Sequence, residues 1–515
     1  MPTLNWIGKE AVVNHDKEVP FRLLRKVKSA SVGDNSQNLI IHGDNLEALK
    51  ALMPYYGGKV KCIYIDPPYN TGNENWVYND KVNSPKIKKW LGKVVGRESE
   101  DLCRHDKWLC MMQPRISLLK DLLSEDGTIF VSIDDVEQGN LRALLDSIFG
   151  EANFITNLIW EKNYSPRNDA KFFSASHDFI LVYGKSKNNW TRNLLPRSDK
   201  QNKYYKYDDK DGRGLWRPDN VLVKTFSQSG VFGIKNPNTG EVFLPPKGSC
   251  YRFSKERAAE LLKENKFYFG KDGKGKPQLK RYLAEVNQGV VPQTILKYEE
   301  VGHNQSGKNE LNALVDMNIF DSPKPVSLIR HILQIASNSD DIILDSFAGS
   351  GTTGHAVLDL NKEDGGTRKF IMVEMEDGVA KDVTAERIKR AIKKYDYDDG
   401  FEYCELDKPL FNETGHIEET CDFNQFATYI YFTETQTNID RAKVDRNFIG
   451  ELNETEYYLI YKEKGKNILD KGFLKKLKKT DSKKVVYADN CAVDEKILDE
   501  YNVLFKQIPY EVKIY

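Results

Sequence analysis

Between Asp341 and Leu360 the chain reads DIILDSFAGSGTTGHAVLDL, an order of residues that few folds accept. The apolar, β-branched run Asp341–Phe347 predicts a buried strand. It feeds straight into Gly349-Ser350-Gly351-Thr352-Thr353-Gly354, a G-x-G-x-x-G spacing, and then into a helical apolar pattern. Glycines at such a junction allow a tight turn and close approach of a ligand to the amides of a helix N-terminus, where negative charge is favoured. Glu374 stands 25 positions past Gly349 at the end of the next predicted strand, Phe370–Glu374, where a carboxylate can take ribose hydroxyls. Both a nicotinamide dinucleotide and S-adenosylmethionine would satisfy this unit, the second presenting its own carboxylate where the first has a pyrophosphate.

A second stretch separates those two. Lys61–Gly72 reads KCIYIDPPYNTG: a short buried strand, Cys62–Ile65, stops at Asp66, and two prolines forbid helix and further strand pairing. The chain must leave as a rigid turn with a carboxylate and an aromatic ring at its mouth. In an open α/β sheet, ligands bind at the carboxyl ends of the strands. An exocyclic amine on a nucleobase is a poor nucleophile because its lone pair is delocalised. If Asp66 and the carbonyl of Pro67 accept its two N–H bonds, the lone pair is aimed at an electrophile. Tyr69 would stack on the base, worth roughly 1–3 kcal/mol, after the base is flipped from the duplex. A dehydrogenase has no use for such a clamp, so the pair of sites predicts methyl transfer to an amino nitrogen, with a nicotinamide oxidoreductase as the distant alternative. Attack from C5 of cytosine would need a thiolate, usually on a Pro-Cys turn, and the sequence has no Pro-Cys.

At 515 residues the chain exceeds what one core usually supports, so two or three domains are expected. It has no apolar run of about 18 residues and no basic–apolar leader, which predicts a cytoplasmic protein away from membranes. Seven scattered cysteines without a C-x-x-C pair fit a reduced setting without structural zinc. Net charge is zero, yet Glu161–Glu310 holds 28 Lys+Arg against 17 Asp+Glu, a difference of +11, so the remainder carries −11. A basic middle inside an acidic protein is an electrostatic footprint for nucleic acid.

Taken in order, residues 1–35 form an arm or short helix. Residues 36–185 form the catalytic half of a doubly wound, Rossmann-like α/β domain: strand Asn38–His42, helix Leu46–Leu52, the strand into Asp66, helix Lys107–Leu123, a turn at Gly127, strand Thr128–Ile133, helix Gln138–Phe149 and strand Phe179–Tyr183. Asp44, at a strand end, either reaches the cofactor or caps the next helix. The polar connection 70–106 is read as a mobile lid. Residues 186–310 break the rhythm with interleaved basic and aromatic residues, among them Lys203–Tyr207, Trp216, Arg217, Arg252, Lys280, Arg281 and Tyr282. They predict an inserted α+β target-recognition domain. Residues 311–405 return to α/β with helices Val326–Ser337 and Val383–Tyr395. Residues 406–515 form an α+β interaction domain with strands Tyr429–Phe432 and Tyr457–Tyr461 and a Lys-rich helix near 470–480.

DPPYNTG followed by DSFAGSGTTG, in that order, resembles the amino-methylating DNA methyltransferases of the β group. IHGDNLEALKAL, LLSEDGTIFVSIDD and HDFILVYGKS are similar, more narrowly, to the modification subunit of type III restriction-modification systems. The resemblance covers residues 36–400. It implies S-adenosylmethionine as cofactor, with Asp66, Pro67, Pro68 and Tyr69 as the catalytic clamp. Asp44, Asp66, Asp345, Phe347, Ala348, Gly349, Gly351, Thr352 and Glu374 would line the cofactor, with Lys324 beside its carboxylate. Asp rather than Ser in the first clamp position favours adenine N6 over cytosine N4. The resemblance further implies double-stranded DNA as substrate, a homodimer, an asymmetric site methylated on one strand, and a separate restriction (helicase–nuclease) subunit. The sequence lacks G-x-x-x-x-G-K-[ST], so no Walker-type ATPase is expected in this chain. A stand-alone adenine-N6 or cytosine-N4 DNA methyltransferase is the alternative.

Overall fold

Alternating apolar strands and amphipathic helices wind into a ten-stranded sheet. The computed structural model describes residues 4–33, 36–70, 92–93, 104–166, 168–197, 202–286, 289–315, 320–411, 416–418, 420–462, 467–478, 480 and 482–508. The expected lid at 70–106 lies mostly outside them. The sheet strands are β1 (Arg22–Lys26), β2 (Leu39–His42), β3 (Val60–Ile65), β4 (Leu123–Ile133), β5 (Phe154–Glu161), β6 (His177–Gly184), β7 (Ile295–Leu296), β8 (Ile342–Asp345), β9 (Lys369–Glu374) and β10 (Glu402–Pro409). Their spatial order is β1-β10-β2-β9-β8-β3-β4-β6-β5-β7. The six strands from β10 to β4 run parallel, while β1 and β6 are antiparallel to their neighbours.

Side chains alternate between two cores, as strand geometry requires. Ile63 and Ile65 of β3 pack with helices α1 (Asn45–Tyr56), α2 (Arg104–Leu122) and α3 (Gln138–Phe149). Cys62 and Tyr64 pack with α4 (Val326–Ala336), α5 (Thr352–Asp364) and α6 (Glu386–Tyr395). The chain leaves β3 towards β4 on one side and leaves β8 towards β9 on the other. The adjacent β3 and β8 therefore make the switch point where a crevice opens at the carboxyl edge.

Several elements depart from the sequence expectations. Helix α2 passes into β4 at Leu123 with no turn at Gly127, and a register shift between Val60/Leu123 and Cys62/Thr128 absorbs the irregularity. Strand β5 was not expected. Its burial alternates only weakly, with Leu158 and Trp160 the buried positions. The expected helix Val383–Tyr395 begins as a wide π turn over Ala380–Ala385 before α6. Tyr429–Phe432 is no strand: it lies inside helix α7 (Phe423–Thr435), which is buried from Phe426 through Phe432 and closed by an Asp422–Gln425 capping box. Among the described residues of 470–480, helix is confined to Lys471–Leu474. Residues 1–35 contribute two short helices, Lys9–Val12 and His15–Glu18, and the edge strand β1. Beyond α7, strands Phe448–Leu452, Thr455–Leu459, Lys483–Ala488 and Val503–Gln507 form a separate sheet in that order.

The chain divides into two compact units, 1–193 with 293–515, and 194–292. Within the second, Phe267–Tyr268, Gln278–Tyr282, Leu215–Asp219 and Tyr207–Asp208 form an antiparallel sheet. Helix Lys255–Lys263, capped by Ser254, packs Ala258 and Leu261 into a core with Tyr251, Phe267 and Phe269. Among the described residues, no helix is long and apolar enough to cross a membrane.

Candidate active site

Strand β3 delivers Asp66 to the crevice, and the turn after it is tied down from α2 and α3. Trp108, fully buried, donates from Nε1 to the Pro68 carbonyl at 2.7 Å. Asn70 adopts the left-handed region at φ 59° and donates from Nδ2 to Glu137 Oε1 at 2.5 Å and to the Arg104 carbonyl at 3.1 Å. Glu137 is itself buried and accepts from Asn140 Nδ2 at 2.7 Å. The two prolines are thus held from outside as well as by their rings.

Strand β8 ends at Asp345, and the glycine loop follows. Asp345 accepts from Thr353 Oγ1 at 2.5 Å and from the Phe347 amide at 3.0 Å. Glu374 accepts from the Gly349 amide at 2.8 Å and the Glu376 amide at 2.9 Å, so it both faces the crevice and fixes the loop. Gly349 and Gly351 have φ of 51° and 76°, a region costly for residues with a Cβ. Gly354 answers to packing instead: a Cβ there would stand 2.6 Å from Met372 Cε.

One cavity joins the two strand ends. Asp66 and Pro68 line it from the β3 side, with Lys324 between, and Asp345, Phe347, Ala348, Gly349, Thr352 and Glu374 from the β8 side. Lys324 binds the halves together: its Nζ pairs with Asp66 Oδ2, and its carbonyl accepts from Thr352 Oγ1 at 3.1 Å. Pro67, Tyr69, Gly351 and Asp44 stand off the cavity wall. Asp44 caps α1 through the amides of Leu46 and Glu47 and pairs with Arg115 at 3.4 Å. Arg115 in turn donates to Asn45, which does line the cavity. Tyr69 is tucked beside the site with Lys324 Nζ 5.2 Å from its ring centroid.

A family model described as DNA methylase matches residues 60–386. The chain belongs to that family. It is 36% identical over 368 residues to the type III restriction-modification enzyme StyLTI Mod subunit of Salmonella typhimurium, across 68% of this chain and 54% of that one. It is 31% identical over 500 residues to the EcoP15I Mod subunit of Escherichia coli, across 84% and 75% respectively. The type II methyltransferase M.KpnI of Klebsiella pneumoniae is 31% identical, across 69% of this chain and 85% of its own length. The chain therefore spans about half of the StyLTI subunit and most of M.KpnI. Among solved structures, the M1.HpyAVI–SAM complex is 16% identical with a TM-score of 0.31, over 69% of this chain and 99% of that chain. The cytosine-N4-specific PvuII DNA methyltransferase is 12% identical with a TM-score of 0.35, over 70% and 92%.

Burial dominates the electrostatics of the crevice. Burial pushes the Asp345 carboxyl up to about 7, opposed by its two hydrogen bonds and reinforced by Asp66 and Glu374. The phenols of Tyr64 and Tyr69 are held well above their ordinary range by burial and then by neighbouring carboxylates, so both stay protonated. Asp178, buried on β6, is also raised by burial, and Lys162 pairs with it at 2.6 Å.

Four residues that shape the site were not foreseen: Trp108, Arg115, Glu137 and Arg387. Arg387 is fully buried and donates from Nη1 to Ser350 Oγ at 3.0 Å and Thr352 Oγ1 at 2.8 Å, beneath the glycine loop. In the sequence Arg387 is one of several basic residues on a charged helix, and only the loop folding over it distinguishes it.

In the unit 194–292, Arg197, Tyr204, Tyr205, Arg217 and Arg281 line a cavity of their own. Trp216 and Tyr282, by contrast, are buried, and Trp216 stacks on Tyr207 at 4.8 Å. The aromatic residues of this segment thus divide between core and open surface, with Tyr204 70% exposed.

Proposed function

We propose that the chain transfers the methyl group of S-adenosylmethionine to N6 of adenine in duplex DNA, with residues 66–69 as the amine clamp and the loop after β8 as the cofactor site. The observation that carries this is that Asp66 and Gly349, far apart in sequence, line one cavity, and that Lys324 bridges Asp66 to Thr352 at the end of the glycine loop. The residues fit the cofactor. Left-handed Gly349 on the cavity wall admits close approach, the N-terminus of α5 favours a carboxylate, Glu374 borders the cavity for ribose hydroxyls, and Ser346 Oγ is buried without a partner among the described residues.

When bound, the cofactor supplies an already activated methyl group on its sulfonium. The protein need only align and orient. Among the described residues Asp66 Oδ1 is buried without a hydrogen-bond partner, a cost that an incoming N–H removes. Pro67 offers the second acceptor, and the hydrogen bond from Trp108 to Pro68 keeps the turn from relaxing away. Asp66 takes the proton that the amine gives up. Lys324, released from Asp66, frees the second carboxylate oxygen and leaves its ammonium for the anionic end of the cofactor. Tyr69 presents a ring for stacking, with its hydroxyl kept neutral.

The basic unit 194–292 supplies target recognition, the chain acts as a homodimer, and a separate restriction subunit completes a type III system. A second reading, a stand-alone methyltransferase, is favoured by the likeness to M.KpnI over 85% of that enzyme. Mapping modified bases by single-molecule sequencing of a genome with and without the protein tests the reading. N6-methyladenine on one strand of an asymmetric site is expected, and N4-methylcytosine or no new modification overturns it. Purified chain that supports ATP-dependent cleavage only with an added helicase–nuclease would favour the type III assignment over the stand-alone one.

A further inference from the structure

The connection between β5 and β6 carries two adjacent phenylalanines turned into solvent: Phe172 is 83% and Phe173 96% exposed, with Tyr164 of the same connection 64% exposed. The Tyr164 ring packs against Tyr298 and His303, whereas two adjacent phenylalanines at that exposure mark a surface that meets something. The register says where that surface is. Ile65 pairs with Val131, Ile133 with Phe179 and Glu161 with His177, so the connection leaves the same sheet edge at which β3 ends in Asp66. Its neck is fixed: the amides of Lys162 and Asn163 donate to the Ser176 carbonyl at 2.9 and 3.3 Å, and Lys162 Nζ is anchored on buried Asp178. The tip therefore projects from a fixed stem at the catalytic edge.

Charge selects the partner. Residues 162–176 contain Lys162, Arg167 and Lys171 against Asp169 alone, and Lys171 Nζ sits 5.4 Å from the Phe172 ring centroid. Lys171 beside the Phe172 ring, in a connection whose sequence is basic, matches a polyanion with an aromatic interior, which describes duplex DNA. We infer that Phe172 and Phe173 form a wedge that enters the base stack beside the target and occupies the gap left when the adenine leaves the helix. Extrusion unstacks the neighbours of the flipped base, and an apolar wedge in the gap slows its return. The inference rests on the methyltransferase reading above and adds the residues that hold the duplex open.

The test uses a short duplex containing the mapped site in two forms, the target adenine facing thymine or facing an abasic position, where leaving the helix costs less. Phe172→Ala/Phe173→Ala is expected to lower kcat/KM on the paired duplex about 10- to 100-fold and to lose far less on the abasic form, with S-adenosylmethionine binding and the thermal midpoint retained. Phe172→Ala with Phe173→Trp, which returns one large ring, restores part of the loss. An equal loss on both duplexes, or none on either, overturns the wedge. So does a change of the double-alanine variant from dimer to monomer in sedimentation, which would assign the phenylalanines to contact between copies. Wild-type protein that methylates no DNA sinks the methyltransferase reading itself; wild-type activity matched by the double variant sinks only the wedge.

Discussion

Buried at the end of β8, Asp345 keeps its proton to about pH 7, whereas an unfolded aspartate loses it near 3.8. The native state binds the extra proton between those values, so this group's contribution to stability declines as pH rises from about 4 through 7. Asp345→Asn should therefore gain thermal stability relative to wild type across that window, with the difference level above it. Midpoints measured from pH 4 to 8 check this, and a pH-independent difference would contradict it. Trp108→Phe removes the donor to Pro68 and should cost about 1–3 kcal/mol in urea denaturation while lowering methyl transfer, because the turn loses its anchor. Arg387→Met withdraws the cation under the glycine loop, and calorimetry should show S-adenosylmethionine binding weakened about tenfold. At this scale the sequence makes Asp66 legible because it stands at a strand end beside two prolines, and Glu374 because it closes the strand that follows the glycine loop and its helix. Trp108, Glu137 and Arg387 are not, since each acts on a segment 35 or more residues away in sequence, Trp108 on Pro68, Glu137 on Asn70 and Arg387 on Ser350 and Thr352.

Elements show the same division between local and distant causes. The strand–glycine loop–helix at 342–364 and the strand into Asp66 follow from local residue types, and both form where expected. Helix α7 does not follow from its aromatic run YIYF, because a segment buried all round has no period to distinguish helix from strand. The Asp422–Gln425 capping box was the available signal. Asp422→Ala should then destabilise the C-terminal part by about 0.5–2 kcal/mol, measured by chemical denaturation; an unchanged midpoint would deny the cap a role. The π turn at Ala380–Ala385 places Thr384 Oγ1 2.6 Å from the Gly349 carbonyl. A helix-period pattern conceals such a turn, since what fixes it is the loop it supports.

Across the whole molecule, the decisive feature is that two halves of one sheet, separated by an independent basic unit in sequence, place their functional strand ends side by side. β-α alternation made the doubly wound sheet legible, whereas the adjacency of β3 and β8 comes from crossover topology that no local pattern encodes. The charge distribution belongs to this scale as well. DNA binding by the chain should weaken steeply between about 50 and 200 mM salt, and a salt-insensitive affinity would argue against phosphate contacts. The most direct test of the account is tritium transfer from labelled S-adenosylmethionine to duplex DNA by the wild-type chain and by Asp66→Ala. Label on adenine N6 that falls at least about a hundredfold in the variant is the predicted result; incorporation that survives Asp66→Ala would contradict the clamp at the centre of the mechanism.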